Sequence, residues 1–419
     1  MAEFSQEHDS LQAAQRFDLD DPLRVFRDEF HILPHLYFAG HSLGLMPKRT
    51  REYVDLELEE WARLGVEGHF SAKHPWLPYH ENVTENLAHI VGAQPNEVVA
   101  MNSLTTNLHL MMASFYRPTQ ARFKILIENN TFPSDRYAMD SQARFHSFDP
   151  VRAVVELKPR VKVDASGMTV ETEAILKQIH ALGDSLAVVM LGNCNYLSGQ
   201  AFDMAAIVKA AKKVGAHVGF NLAHGAGNLP LKLHDDGVDF AVWCSYKYLN
   251  AGPGGIAGAF VHERYFKDKN ILRLAGWWGH NKKTRFEMGS KFDPIPTVEA
   301  WQLSNPPILQ LAALRASAEI FAKATMPALC RKSERLTGYF EWLLKRHLGE
   351  KLEIVTPHER GAMLCVRIPG VGRSIEPKLR EKGAIVDFRE PDIFRMTPAP
   401  LYNSYEDVYR LVTVLRESL

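Results

Sequence analysis

Apolar residues recur along the chain with two different rhythms. Over 50–64, Tyr53, Val54, Leu58 and Trp61 fall at helical spacing. Over 80–92, Val83, Leu87, Ile90 and Val91 do the same, so both segments are predicted as amphipathic helices. From about residue 120 the pattern changes to short apolar runs separated by helical segments. The runs 123–127 (FKILI), 186–191 (LAVVML), 218–220 and 240–243 read as buried strands, and Asp203 is placed to cap a helix running through Val214. Strands alternating with helices imply an α/β fold with a mainly parallel sheet covered on both faces. In such sheets ligands bind beyond the carboxyl ends of the strands, so the chemistry is expected just after these runs.

Past residue 310 the pattern changes again. A long helical stretch (310–345) leads to strands near 352–356 and 362–368, a helix near 375–382, short strands near 384–396 and a last helix at 405–418. This is the signature of a smaller α+β unit. The expected organisation is a segment 1–50 that packs on the small domain, a large domain over 51–310 and the small C-terminal domain over 311–419.

With 419 residues the chain is long enough for both. Lys+Arg and Asp+Glu each total 49, so there is no charge footprint for nucleic acid or a membrane surface. No unbroken apolar run of about 18 residues is present to span a membrane. The opening MAEFSQEHDSLQ is polar and acidic, unlike a signal peptide. Cys194, Cys244, Cys330 and Cys365 are far apart and show neither a zinc spacing nor a disulfide framework, so a cytoplasmic setting is expected.

The sharpest local signal is CSYKYLNAGPGG, residues 244–255, where Lys247 sits between a buried strand and a glycine-rich turn. Burial disfavours an ammonium, which makes such a lysine a usable amine nucleophile for a Schiff base. A surface lysine in a loop is the plain alternative. Upstream, VGFNLAHG (218–225) places Asn221 and His224 at another strand end, 26 residues from Asn221 to Lys247; a satisfied structural histidine is the alternative for His224. NSLTTNLH (102–109) opens a predicted helix (106–114) whose free N–H groups suit a phosphate, though Ser and Thr are common as mere caps. FPSD (132–135) follows the FKILI strand and offers an aromatic face, Phe132, beside a carboxylate, Asp135; Pro133 is otherwise a simple turn former.

Together these segments resemble kynureninase, the pyridoxal 5'-phosphate (PLP) hydrolase of tryptophan catabolism and NAD biosynthesis. The likeness runs from about residue 36 to the C-terminus and looks closest to the animal-type enzyme. It is carried also by YFAGHSLGL (37–45), GHFSAKHPW (68–76), SYKYLNAGPGGIAGAF (245–260), GWWGH (276–280), SNPPIL (304–309) and TPAPLYNS (397–404). The resemblance implies a PLP-dependent transferase of fold type I: a mainly parallel seven-stranded sheet in the large domain, and a homodimer with shared active sites. It implies hydrolysis of the Cβ–Cγ bond of L-kynurenine or 3-hydroxykynurenine, giving anthranilate or 3-hydroxyanthranilate and L-alanine. Carried over by motif, Lys247 holds the cofactor and Tyr246 is a candidate proton donor near its phosphate. Leu104 and Thr105 contact that phosphate, with Ser134 beside them. Phe132 stacks on the pyridine ring, and Asp135 and His224 line it. Trp277 and Asn305 correspond to residues given by the partner subunit. Arg395 matches the arginine that grips the substrate carboxylate, a bidentate pairing, while Ser42 and His69 fall at the aryl end of the substrate, and Asn305 is also a substrate-binding position.

The chain departs from that pattern at three positions. His41 stands where the family has asparagine, Gly192 where it has a small polar residue, and Asn221 where it has the aspartate that keeps the pyridine nitrogen protonated. Other readings keep the fold and change the reaction to another aryl-keto amino acid, or to PLP binding with weakened catalysis. A desulfurase needs a reactive cysteine on a mobile loop. Cys330 lies in a helical pattern and Cys365 in an apolar strand, which argues against one.

Overall fold

Seven strands form the central sheet, in the spatial order Val98–Ala100, Gly258–Val261, Phe240–Trp243, His217–Asn221, Leu186–Gly192, Lys124–Ile127 and Val154–Glu156. The computed structural model describes residues 4–157 and 168–419. Gly258–Val261 runs antiparallel to both its neighbours and the other pairings are parallel. Alternate residues feed two separate cores. Leu126, Val189, Leu191, Val218, Phe220, Ala241 and Trp243 point to one face, and Ile125, Ile127, Val188, Met190, Phe240 and Val242 to the other. Burial of both faces explains why these strands read as unbroken apolar runs.

The four predicted strands are present. Val98–Ala100, Val154–Glu156 and Gly258–Val261, each three or four residues long, were not predicted. Asp203 caps the helix Met204–Lys213, its carboxylate accepting from the Ala206 N–H at 3.0 Å.

Two helical expectations need correcting. The helix Thr50–Leu64 forms, but its predicted apolar stripe is not the buried face: Trp61 is 62% exposed and Glu57 is 1% exposed. The Glu57 carboxylate accepts from the Trp76 indole at 3.0 Å and the Tyr79 hydroxyl at 2.8 Å. Those two donors make burial of the carboxylate tolerable. The stretch read as one helix over 310–345 is two, Ile308–Ala324 and Met326–Leu348. They are separated at Thr325, whose φ is +63°. Pro327 lacks an N–H and its ring would clash with the preceding turn, so it sits in the first turn of a new helix.

The C-terminal part carries a four-stranded antiparallel sheet in the order Asp387–Arg389, Ile393–Met396, Leu364–Arg367, Glu353–Ile354. Its core includes Leu336, Phe340, Phe394, Met396, Val408 and Leu411, and takes in Ala14 and Phe38 from the start of the chain. Asp18 caps the last helix, Tyr405–Ser418, by accepting from the N–H groups of Tyr405 (2.7 Å) and Glu406 (3.0 Å). Strand Leu36–Tyr37 pairs in parallel with Ala384–Ile385. The chain then runs from this sheet into the cleft: the Thr397 N–H donates to Phe38 O at 2.8 Å, and the Gly44 N–H to Tyr246 O at 2.9 Å. Residues 39–44 thereby bridge the small sheet and the lysine loop. A Cβ on Gly44 would lie 2.1 Å from Asn250 Oδ1 and 2.4 Å from Lys247 O, so no larger residue fits this crossing.

Candidate active site

A cavity of about 230 Å³ lies beyond the carboxyl ends of four central strands. Lys124–Ile127 delivers Glu128 and then the FPSD segment at the start of helix Pro133–Phe145. Leu186–Gly192 delivers Cys194 and Tyr196, His217–Asn221 delivers Asn221 and His224, and Phe240–Trp243 delivers Cys244, Tyr246 and Lys247. The small sheet closes the cavity with Arg389 and Arg395, and the bridging segment adds His41 and Ser42. This is the site that strand-end reasoning for an open parallel sheet predicts.

Lys247 Nζ lies 3.0 Å from His224 Nε2 and 5.9 Å from the Phe132 ring centroid. Burial lowers the pKa of the amine. The His224 ring is buried and held well below the usual histidine range, first by burial and then by the positive charges of Lys247 and Arg395. It is therefore neutral. Burial raises the Tyr246 phenol to about 12, so it keeps its proton.

Two acids lie inside. Asp135 Oδ2 accepts from Asn221 Nδ2 at 2.6 Å, while Asn221 Oδ1 accepts from the Ala223 N–H at 2.9 Å. Both ends of the Asn221 amide are thus used. Asp135 Oδ1 is buried with no hydrogen-bond partner. Burial pushes this carboxyl up to about 6, against the opposing pull of Asn221 and Lys247. Glu128 accepts from the Gly192 N–H at 3.2 Å and from Asn195 Nδ2 at 2.9 Å, and burial raises it to about 7. A Cβ on Gly192 would come within 2.8 Å of Glu128 Oε1, so the acid occupies the space a side chain there would take.

Arg395 is held from behind. Its Nη2 donates to Asp387 Oδ2 at 2.6 Å and its Nη1 to Tyr196 O at 2.8 Å. The Tyr196 ring also meets Phe132 edge-on, with centroids 5.3 Å apart. At the other end of the cavity, helix Leu104–Phe115 begins two residues earlier than its predicted start, with no side-chain cap from Ser103. Thr105 Oγ1 lies 2.9 Å from Ser134 Oγ, which brings two helix starts and two hydroxyls to one place.

Of the residues singled out in the sequence, Ser42, Leu104, Thr105, Phe132, Ser134, Asp135, Asn221, His224, Tyr246, Lys247 and Arg395 line this one cavity. His69, Trp277 and Asn305 do not. His69 packs edge-on against Trp76 at 5.4 Å, the Trp277 indole donates to Arg285 O at 3.1 Å, and Asn305 is exposed. Sequence reasoning missed Glu128, Cys194, Tyr196 and Arg389. Glu128 directly follows an apolar run, so a systematic reading of every strand end would have found it. Nothing local in the sequence marks Arg389.

Known proteins are similar to this chain in sequence and in fold. The family model described as the kynureninase C-terminal domain matches residues 329–415. The kynureninase of Myxococcus xanthus is 58% identical over 416 residues, 97% of each chain. That of Koribacter versatilis is 54% identical over 95% of each chain, and that of Flavobacterium psychrophilum 47% identical over 98%. Among solved structures, cysteine desulfurase CsdA from Escherichia coli superposes with a TM-score of 0.76 at 17% identity, covering 94% of this chain and 98% of the other. A C-DES mutant with glycine covalently linked to its PLP cofactor gives a TM-score of 0.74 at 18% identity, covering 93% and 98%. These two establish the fold.

Proposed function

The chain belongs to the kynureninase family, and from that premise we propose that its cavity hydrolyses the Cβ–Cγ bond of L-kynurenine or 3-hydroxykynurenine, with PLP carried on Lys247. The products are anthranilate or 3-hydroxyanthranilate and L-alanine. The observation that carries this reading is the meeting, in one cavity, of a buried amine, an unpartnered carboxylate oxygen and an arginine fixed from behind.

The residues present fit the cofactor. Asp135 Oδ1, buried and without a partner, is the acceptor that a protonated pyridine nitrogen requires. Asn221 steers it by holding Oδ2 at 2.6 Å. Phe132 supplies a ring to stack on, and the helix starts at Leu104–Thr105 and Ser134 supply N–H groups and hydroxyls for a phosphate. When bound, PLP withdraws electrons from the substrate's α-carbon and makes bonds there and at Cβ breakable.

The chain's own groups do the rest. Lys247 is the amine that would carry the cofactor and the base that would take the α-proton; its depressed pKa suits both tasks. Arg395, aimed by Asp387 and the Tyr196 carbonyl, grips the α-carboxylate. Tyr246 remains protonated at neutral pH and can give a proton to the substrate's Cβ, while water supplies the oxygen that the aroyl carbon takes. Asp135, assisted by Asn221, provides the negative charge that the family draws from an aspartate at the Asn221 position.

The active unit in this reading is a homodimer. Trp277, Phe286 and Met288 expose large apolar surface that a monomer would leave in water. In this reading Trp277 and Asn305 enter the partner's site once the subunits associate, and His69 lies at the aryl end of the substrate. The division into residues 51–310 around the cofactor and 311–419 as a closing unit, with 1–50 packed on the latter, is supported by the core that Ala14 and Phe38 share with the C-terminal helices. Incubation of the PLP-loaded protein with L-kynurenine is expected to release fluorescent anthranilate and an equal amount of alanine. Transamination without anthranilate would overturn the proposal.

A further inference from the structure

Glu128 sits in the cavity wall and takes no part in the proton transfers assigned to Lys247 and Tyr246. It follows strand Lys124–Ile127, beside the end of the neighbouring strand Leu186–Gly192, and only 4% of it is exposed. Its Oε1 accepts from the Gly192 N–H at 3.2 Å, and its Oε2 from Asn195 Nδ2 at 2.9 Å. A carboxyl offers an acceptor at each oxygen in either protonation state.

The turn that follows Asn195 settles which way its amide points. Asn195 Oδ1 accepts from the backbone N–H groups of Leu197 and Ser198, both at 2.9 Å, and from Ser198 Oγ at 3.2 Å. Backbone N–H groups donate only, so the atom facing them is the oxygen and the amino group faces Glu128. Tyr196 lies inside this turn, and its carbonyl accepts from Arg395 Nη1 at 2.8 Å. Asp387 takes Nε at 3.4 Å and Nη2 at 2.6 Å. A guanidinium has five N–H groups, of which Tyr196 and Asp387 thus engage three. One remains on each of Nη1 and Nη2, for the paired bonds that a carboxylate accepts.

We propose that Glu128 is a positioning residue for substrate recognition: by holding Asn195 it sets the turn at Tyr196, whose carbonyl fixes Arg395 with its two remaining N–H groups presented to the substrate's α-carboxylate. This role rests on Arg395 being the group that binds that carboxylate. Glutamine is the discriminating replacement, because it keeps the shape of Glu128 and has one acceptor in place of two. With its oxygen on the Gly192 N–H, its amino group meets the amino group of Asn195; turned over, it meets the Gly192 N–H instead. A donor opposes a donor in either orientation. Adding Asn195→Asp to Glu128→Gln remakes the contact with its direction reversed, since the glutamine then donates to a carboxylate.

The test uses the PLP-loaded protein and two ligands. Des-amino kynurenine keeps the carboxylate and the aryl ketone and has no amine to react, and its dissociation constant is read by calorimetry. Decarboxylated kynurenine lacks the carboxylate, and its binding is read from the absorbance of the bound cofactor. Asn195→Ser keeps a hydroxyl for the turn and loses the amino group that faces Glu128. Glu128→Gln and Asn195→Ser should each weaken the des-amino ligand roughly tenfold and the decarboxylated one less than about twofold, the effect of one misdirected hydrogen bond. Both should raise KM for kynurenine more than they lower kcat. Glu128→Gln with Asn195→Asp should recover most of the loss. Unchanged binding of the des-amino ligand in either single variant overturns the proposal. So does equal weakening of the two ligands, the mark of a merely structural loss, or a double variant no better than Glu128→Gln. Arg395→Lys tests the premise separately. If it leaves the des-amino ligand's affinity unchanged, Arg395 does not bind the carboxylate and the reading of the site fails; if it weakens that ligand and the two single variants do not, only the role of Glu128 falls.

Discussion

Asp135→Asn removes one charge from the cavity and almost no volume. In the structure Asn221 holds Oδ2 at 2.6 Å while Oδ1 has no partner, so the substitution removes the charge at the acceptor proposed for the pyridine nitrogen. A hydrogen bond to a charged group contributes about 1.5–3 kcal/mol. If that is lost wholly in the transition state, kcat/KM falls roughly 10- to 150-fold. Asn221→Asp is the complementary change. It would set two carboxylates where 2.6 Å now separates amide and acid. At an effective dielectric constant of about 20 their repulsion is roughly 6 kcal/mol, so the pair keeps one proton and the site retains a single negative charge. Turnover is therefore expected to rise no more than about tenfold. Steady-state anthranilate fluorescence gives both rates, and an absorbance titration gives the PLP affinity. With Asp135 titrating at about 6, that affinity should fall as the pH drops through this value in the wild type and stay flat in Asp135→Asn. Turnover in Asp135→Asn within about threefold of wild type would refute the reasoning, as would a hundredfold gain in Asn221→Asp.

Lys247→Ala is expected to be colourless with PLP and to yield no borohydride-trapped peptide, whereas the wild type should be yellow and trapped at Lys247 alone. Arg395→Lys, which loses the planar fork, should raise KM for kynurenine at least about tenfold with a smaller change in kcat; equal KM values would remove Arg395 from substrate recognition. Gly44→Ala should destabilise the protein by about 1–3 kcal/mol, read as a lowered Tm, because its Cβ meets the Lys247 carbonyl and Asn250. Glu128 has its folded pKa raised to about 7 by burial, so its contribution is fully present below its unfolded value near 4.5 and is lost as pH rises through about 7. The loss is on the order of 3 kcal/mol, and denaturant melts of Glu128→Gln should show a flatter pH profile over this range.

Four strands of the central sheet were legible because they are buried on both faces and end in chemistry: FKILI, LAVVML and the runs before Asn221 and Lys247 all appear where their apolar residues stand. Burial by partnership was not legible. Glu57 lies inside because Trp76 and Tyr79, about 20 residues downstream, each donate to it, and a periodic count cannot register that. The break at Thr325 was legible in principle, since Met-Pro follows it, but the apolar rhythm carried across. Within the cavity, residues next to a strand end could be read from the sequence. Arg389 could not, because the small sheet brings it in from far along the chain, and His41, Ser42 and Arg395, from the small sheet and the bridging segment, were read only through the resemblance.

The core that the opening segment shares with the last helix also sets a timetable. Ala14 and Phe38 pack among side chains that lie about 300 to 400 positions later, and Asp18 caps a helix that begins at Tyr405. During synthesis at about 5–20 residues per second, the opening segment waits on the order of 20–80 s for its partners to leave the ribosome. Its apolar side chains are uncovered throughout that interval, and the cavity stays open on the Arg395 side until the final helix docks. The central sheet, complete by Val261, can assemble while the rest is still being made. Competence for catalysis is therefore a late event in the life of the chain, and damage at either terminus is felt at both.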